Sequence, residues 1–176
     1  MKTILKILLP FLSFLIFSCL TEKLDSPFEL ISPNSELRAI VNLDEEGIPF
    51  YSLIFNGTII VDKSRLGMNT NKFLLLDQFE VINVSRTSKN EDWNQVWGEQ
   101  KVIQNNYNEL ELTLTCAPKN NKMILRFRLF DDGLGFRYEI PKQSKVSEFP
   151  IIDELTEFNL SEDSESWWIP AYAYRR

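Results

Sequence analysis

Regular alternation of polar and apolar residues limits this chain more than any other feature of its sequence. From Glu109 to Cys116 every second residue is apolar, and Glu36 to Leu43 follows nearly the same pattern. Because successive side chains of a β-strand point to opposite faces of a sheet, this period of two predicts strands with one buried face. No comparably long stretch shows the period of an amphipathic helix. We therefore predict an all-β fold, an antiparallel sandwich, with Cys116 pointing into its core.

Two dipeptides predict hairpin turns. Asn56-Gly57 lies between extended apolar runs and is typical of a type I′ turn. Asp132-Gly133 is interpreted as a second two-residue turn, which places every apolar residue of its hairpin on one face. The opposed pairs in that register are Leu129–Phe136, Phe127–Tyr138, Leu125–Ile140, Arg126–Glu139 and Arg128–Arg137.

The pair Arg128–Arg137 has two interpretations. Like charges directly opposite each other are destabilising, so the face should supply an acid, either Glu139 diagonally or one from a neighbouring strand. The alternative is an anion-binding site formed by the two arginines.

The first residues resemble a bacterial lipoprotein signal peptide. Lys2 and Lys6 accompany an apolar run that ends just before Ser18-Cys19, and the run is too short for a transmembrane helix. We predict a signal peptide over residues 1–18, lipidation of Cys19, a tether over residues 19–27 and a β-sandwich domain over 28–176. The lipid would anchor the protein to a membrane of the bacterial cell envelope, facing the periplasm or the exterior. The alternative is ordinary secretion.

The composition excludes several kinds of chemistry. None of the 176 residues is His, which excludes Ser-His-Asp and Cys-His catalysis and His-ligated zinc. The formal net charge of −6 argues against a nucleic-acid partner.

Tryptophans and acids are the remaining candidates for function. Trp93, Trp97 and Trp168 either fill the core or present ring faces to the C–H faces of sugars. The acidic residues near the end of the chain either form a solvated face or neutralise a cation; they are Asp153, Glu154, Glu157, Glu162, Asp163 and Glu165. No spacing identifies the two facing carboxylates that a glycosidase needs.

Five segments also occur in a recognisable order. They are Ser32-Pro33-Asn34, Leu66-Gly67, Trp93–Glu99 followed by Tyr107–Leu110, Arg126–Glu139 and Trp168-Ile169-Pro170. Together they resemble the N-terminal domain of glycoside hydrolase family 97 over nearly the whole chain that follows the predicted signal peptide.

The resemblance implies a calcium-dependent α-glucosidase or α-galactosidase family that acts on α-linked gluco- or galacto-oligosaccharides. Its members have an N-terminal β-super-sandwich similar to galactose mutarotase, then a (β/α)₈ barrel, then a small β domain. The resemblance places the catalytic carboxylates and most Ca²⁺ ligands in the barrel. It also implies one Ca²⁺-binding Glu shortly after the segment that corresponds to Trp168-Ile169-Pro170.

The sequence departs from that family pattern at its end, since Arg176 comes before such a Glu and before any barrel. We therefore expect an incomplete super-sandwich with no catalytic residue, no metal ligand and no cofactor of its own, and with strand edges that favour oligomers. One hypothesis is a non-catalytic module that binds sugar weakly through Trp97 or Trp168. Another is part of a complete α-glycosidase whose barrel lies in an adjacent or corrected reading frame. The third is a surface lipoprotein that scaffolds a partner.

Overall fold

The computed structural model describes residues 26–70, 74–116, 121–142, 150–161, 165 and 168–169. The predicted signal peptide, Cys19 and most of the tether lie outside these residues. Eleven strands are described: β1 (Phe28–Ile31), β2 (Leu37–Leu43), β3 (Pro49–Phe55), β4 (Thr58–Arg65), β5 (Met68–Thr70), β6 (Leu74–Leu75), β7 (Phe79–Asn94), β8 (Val102–Cys116), β9 (Asn121–Leu129), β10 (Leu134–Glu139) and β11 (Ile151–Glu154). Within the described ranges no helix is both long and apolar enough to span a bilayer.

The strands form three antiparallel sheets. The first large sheet has the order β1-β2-β3-β4, the second large sheet has the order β10-β9-β8-β7, and β11-β5-β6 form a small third sheet. Residues from both large sheets share one hydrophobic core. The largest side chains that are fully buried in it include Tyr51, Phe127, Leu66, Leu75, Leu110, Leu112, Leu114, Met123, Leu125 and Leu129. The prediction of an all-β, sandwich-like fold is confirmed.

The alternating pattern explains which faces are buried. In β8 the exposed fractions of Leu110, Leu112 and Leu114 are 0%, 1% and 0%, so all three side chains lie within the core. Burying a leucine side chain of this kind contributes about 1.5–3 kcal/mol. Cys116 ends the same row, and its Sγ lies 3.2 Å from the carbonyl oxygen of Asp77. Cys116 is buried in the core cluster, which confirms the predicted position. Burial raises the pKa of its thiol.

The Asn56-Gly57 turn is confirmed. Phe55 pairs directly with Thr58, and the φ angles of Asn56 and Gly57 are 46° and 84°. Positive φ at both central residues is what a type I′ turn requires, and Asn-Gly adopts it at low cost.

The predicted register of the β9–β10 hairpin is wrong by two residues. Leu129 pairs with Leu134 and Phe127 with Phe136, because the loop has four residues from Phe130 to Gly133. The Phe130 N–H donates to the Gly133 carbonyl at 2.9 Å and closes that loop. A shift of two residues keeps every side chain on its predicted face, since the side-chain period of a strand is also two.

The corrected register changes the arginine pairing. Arg137 lies opposite Arg126, and Gly135 lies opposite Arg128. Arg128 and Arg137 are therefore not the directly opposed pair that the sequence predicted.

Candidate functional site

The hairpin formed by β7 and β8 extends beyond the sandwich. The two strands stay in antiparallel register out to the pair Asn94–Val102. The neighbouring strand β9 pairs with β8 only between Asn108 and Cys116. Residues Asn90–Asn106, which we call the arm, therefore form a two-stranded ribbon outside the four-stranded part of the sheet.

The loop at the end of the arm has a defined local structure. The Gln95 backbone N–H donates to the Lys101 carbonyl at 3.1 Å, and its side-chain Nε2 donates to the Gln100 carbonyl at 2.5 Å. Gly98 has a φ of 143°, and a Cβ placed there would lie 2.7 Å from the Gln95 side chain. The positive φ favours glycine at 98. The neighbouring Trp97 is exposed.

The three candidate tryptophans are exposed. The exposed fractions of their side chains are 51% for Trp93, 88% for Trp97 and 75% for Trp168. No ring contact joins Trp97 to Trp168 among the described residues. Of the two interpretations that the sequence left open, the core position does not apply to these three residues.

Tyr107 behaves differently from the tryptophans. Its exposed fraction is 5%, and its ring lies 5.2 Å from the ring of Phe130. The Arg128 guanidinium stacks over the same ring at 4.6 Å. Tyr107 therefore anchors the base of the arm on the outer face of the second large sheet.

That outer face also contains an ion-paired cluster centred on Arg126. The Nη1 of Arg126 lies 2.6 Å from a Glu109 oxygen, and its Nη2 lies 2.5 Å from Glu111. Its Nε lies 2.6 Å from Glu139. Two of these acids come from β8, and Glu139 lies on β10 diagonally from Arg126, not directly opposite it as the sequence predicted.

Two further arginines extend the cluster. Arg128 contacts Glu109 at 2.6 Å, and Arg137 contacts Glu139 at 2.6 Å. The Arg–Glu network then consists of Arg126, Arg128, Arg137, Glu109, Glu111 and Glu139. Three positive and three negative groups balance, which supports structural neutralisation and leaves no excess charge for an anion site at Arg128 and Arg137.

The network shifts the pKa values of its members. Hydrogen bonds from Arg126 and then Arg137 lower the pKa of Glu139 to about 2. Burial of Glu109 favours its neutral form, but hydrogen bonds from Arg128 and Arg126 outweigh burial and lower its pKa. Both carboxylates therefore stay ionised at neutral pH, which is the opposite of what a general acid requires.

The acids near the end of the chain have structural partners. Glu154 accepts a hydrogen bond from Thr156 at 2.8 Å, and Glu157 accepts one from the Arg65 backbone N–H at 3.0 Å. The described ranges contain no group of three or more acidic or thiol side chains that could hold a metal ion. Glu162 and Asp163 lie outside those ranges.

Sequence reasoning missed the two residues that shape the arm loop. The signal was the glycine directly after Trp97, which marks a backbone that other residues rarely adopt. Gln95 gives no comparable signal, because its role depends on a hydrogen bond across the loop.

The comparisons with known proteins agree on one family. The family model described as glycosyl-hydrolase 97 N-terminal matches residues 30–176. A glycoside hydrolase family 97 enzyme from Pseudoalteromonas sp. strain K8, solved in complex with panose and with acarbose, is 33% identical with a TM-score of 0.75, and the match covers 82% of this chain. A β-arabinopyranosidase is 26% identical with a TM-score of 0.73 over 78% of this chain. The matches cover 22% of each of these solved chains, so this chain spans about a fifth of their length. The chain belongs to the glycosyl-hydrolase 97 N-terminal family.

Proposed function

We propose that this chain is a non-catalytic module of a family 97 glycoside hydrolase, and that it contacts neutral sugars through exposed tryptophans. The observation that supports this most is Trp97, which is 88% exposed at the end of an arm that lies outside the core. Trp168, 75% exposed, is a second candidate contact.

The arm suits this role for physical reasons. Contact between apolar surface and water is unfavourable, so covering an exposed indole face with the C–H face of a sugar lowers the free energy. The Gln95 hydrogen bonds hold the loop in one conformation, so little conformational entropy is lost when a ligand binds.

The charged side chains support a non-catalytic role. A glycosidase needs one carboxyl group whose pKa is raised, so that it can protonate the leaving group. Here Glu109 and Glu139 face arginines, and their pKa values are lowered. The α-glycosidase activity that the family resemblance implies would then reside in sequence beyond this module.

The relatives suggest the class of sugar. Family 97 enzymes from Pseudoalteromonas sp. strain K8 bind panose and acarbose, which are oligosaccharides. We expect the module to bind an α-linked gluco- or galacto-oligosaccharide weakly, and to work beside a catalytic barrel. A scaffold that only positions a partner remains the alternative function.

Tryptophan fluorescence of the full chain, titrated with panose, tests this proposal. We expect quenching at millimolar sugar, lost in Trp97→Ala or in Trp168→Ala, because either change removes an aromatic contact surface. Trp97→Phe is the matched control, since it keeps an aromatic face at the same position. Because it lacks the indole fluorophore, its panose binding and that of Trp97→Ala are compared by isothermal titration calorimetry, and the phenylalanine variant should retain binding. Absence of quenching, or quenching that neither alanine variant alters, would support the scaffold instead.

We further propose that Cys19 is lipidated and anchors the module to a membrane of the cell envelope. This proposal rests on the basic and apolar residues that precede Ser18-Cys19. Metabolic labelling with a radioactive fatty acid should mark the protein and should fail for Cys19→Ser. An unlabelled wild-type protein would show ordinary secretion instead.

A further inference from the structure

A concave surface lies on the outer face of the second large sheet, beside the Arg–Glu network. It is a groove of about 290 Å³ lined by Arg126, Arg128, Phe130, Gly135, Phe136 and Arg137. Gly135 lies directly opposite Arg128 in the register, and a Cβ added to Gly135 would meet no atom within 4 Å. The groove is therefore open where this strand position lacks a side chain.

The arginines present hydrogen-bond donors at fixed positions. Arg128 uses its Nε to donate to Glu109, and its guanidinium is stacked on the ring of Tyr107 at 4.6 Å. Among the described residues, the hydrogen bond recorded for Arg128 comes from its Nε, and its terminal amino groups border the groove. Arg137 is held by Glu139 in the same way, through its Nε at 2.7 Å and its Nη2 at 2.6 Å. Donors that are already oriented cost little entropy when they bind a ligand.

The charge around the groove selects against ionic ligands. The three arginine side chains are balanced by three glutamates, which are themselves more deeply buried than Arg128 or Arg137. Asp131 and Asp132, both exposed, add negative charge in the loop next to Phe130. An anion would gain little from guanidinium groups that are already neutralised, and the aspartates would repel it.

The remaining chemistry matches a sugar ring. Phe130 supplies an apolar wall that can cover C–H groups, and the arginine amino groups can donate to hydroxyl oxygens. The ring of Phe136 packs on the core side, 5.3 Å from Tyr51 and 5.6 Å from Phe127. The volume lies at the lower limit of the ~300–1,000 Å³ that is common for small-molecule pockets, so the groove fits a single ring rather than a long oligomer.

We propose that this groove binds one ring of a neutral, polyhydroxylated sugar, at a site separate from Trp97. The inference shares its ligand class with the function proposed above, but it uses none of the same residues. The two proposals can therefore fail independently.

The test is an NMR titration of the ¹⁵N-labelled full chain with panose. We expect the backbone amide signals of Phe130 and Gly135 to shift at millimolar panose. In Gly135→Val the new side chain fills the groove, and we expect affinity at these amides to fall about tenfold or more. The backbone of Gly135 has no positive φ, so valine is compatible with the strand.

Gly133→Ala is the matched control, because Gly133 also has open space around it and does not line the groove. It should leave the panose affinity unchanged. Arg137→Gln is a second groove variant that changes the donors at an exposed position, and it should also weaken panose binding. It tests the groove even if Gly135→Val does not fold. Trp97→Ala should leave the shifts of Phe130 and Gly135 intact even where it abolishes fluorescence quenching.

Several results would overturn the inference. If inorganic phosphate or glucuronate shifts the same amides at lower concentration than panose, the groove is an anion site. If panose shifts neither amide, or if both groove variants bind as the unmodified chain does, there is no sugar site here. If Trp97→Ala removes the shifts at Phe130 and Gly135, the groove is not a separate site.

Discussion

The two halves of the β7–β8 hairpin have the same backbone pairing but different surroundings. Between Asn108 and Cys116, strand β8 pairs with β9 on one side and β7 on the other, and its leucines are buried. From Val102 to Asn106 it pairs with β7 alone, and Trp93 and Trp97 on the same arm are more than half exposed. Hydrogen-bond ladders can therefore continue where burial has ended. Because an isolated two-stranded hairpin is marginal in water, we conclude that the sandwich supplies the stability and the arm supplies exposed surface.

The largest expected difference between the two halves is in side-chain truncation. Phe127 packs against the buried face of β8 with an exposed fraction of 0%, so Phe127→Ala should lower the free energy of unfolding by about 3–5 kcal/mol. Val102→Ala, on the arm, should change it by no more than about 0.5 kcal/mol, because Val102 is 48% exposed. Urea titrations followed by circular dichroism measure both values. Equal losses would show that the arm belongs to the core.

The ion pairs of the two halves should differ next. Glu109 is 10% exposed and contacts both Arg126 and Arg128, so Glu109→Gln should cost about 1–3 kcal/mol by leaving charged donors poorly paired. Glu91, on the arm, pairs with Lys89, which directly precedes the arm, and both side chains are about half exposed. Glu91→Gln should leave the urea midpoint unchanged, because water already screens that pair. A loss in Glu91→Gln that matches the loss in Glu109→Gln would contradict this difference.

The pH dependence of stability also separates the sandwich, where Glu139 lies on β10, from the arm. The folded-state pKa of Glu139 is about 2, against an ordinary value of 4.5, so the unfolded chain binds this proton more readily than the folded chain. The contribution of Glu139 to stability is therefore complete above 4.5 and is lost as pH falls towards 2. Urea midpoints across that window should fall less steeply in Glu139→Gln than in the unmodified chain. The hydrogen bond with Lys89 also lowers the pKa of Glu91 on the arm, but water screens that exposed pair, so Glu91→Gln should flatten the slope much less than Glu139→Gln. A slope unchanged in Glu139→Gln would refute the assignment.

The smallest expected effect on stability comes from the loop of the arm. Gly98 has a φ of 143°, which residues with a Cβ rarely adopt, and an alanine Cβ would displace the end of the Gln95 side chain, so we expect Gly98→Ala to rearrange the loop around Trp97. Because no core residue is involved, the free energy of unfolding should change by about 0.5 kcal/mol or less. The indole N–H signal of Trp97 should shift, and panose quenching should weaken. An unaltered Trp97 signal would show that glycine at this position does not control the loop.

The regular parts of the fold were predictable from the sequence because burial and side-chain period agree there. The rows of alternate leucines gave the buried faces, and Asn56-Gly57 gave its turn. The register of β9–β10 was not predictable in the same way. Asp131 accepts a hydrogen bond from the Asn34 backbone N–H at 2.8 Å, a contact between distant parts of the chain that accompanies the four-residue loop. Local turn propensity could not reveal that contact.

The candidate sites also contain features that the sequence predicts and features that it does not. The acid that neutralises Arg128 was expected from the charge pattern, and it is Glu109 on the neighbouring strand. The exposure of Trp97 was not decided by the sequence, because the residues around it show no period that assigns a face. The groove at Gly135 was not predictable from the sequence either, since it depends on the pairing of Gly135 with Arg128.

Hydrogen exchange along β8, measured with and without panose, tests most directly whether one hairpin both supports the fold and presents a sugar-binding surface. Without sugar we predict slow exchange for the amides of Leu110, Leu112 and Leu114 and much faster exchange from Val102 to Asn106, because local opening of the arm breaks no core contact. With panose we predict slower exchange in the loop between Gln95 and Lys101 and no change at the three leucines. Uniform protection along the whole of β8, or a panose effect confined to the leucines, would contradict the account.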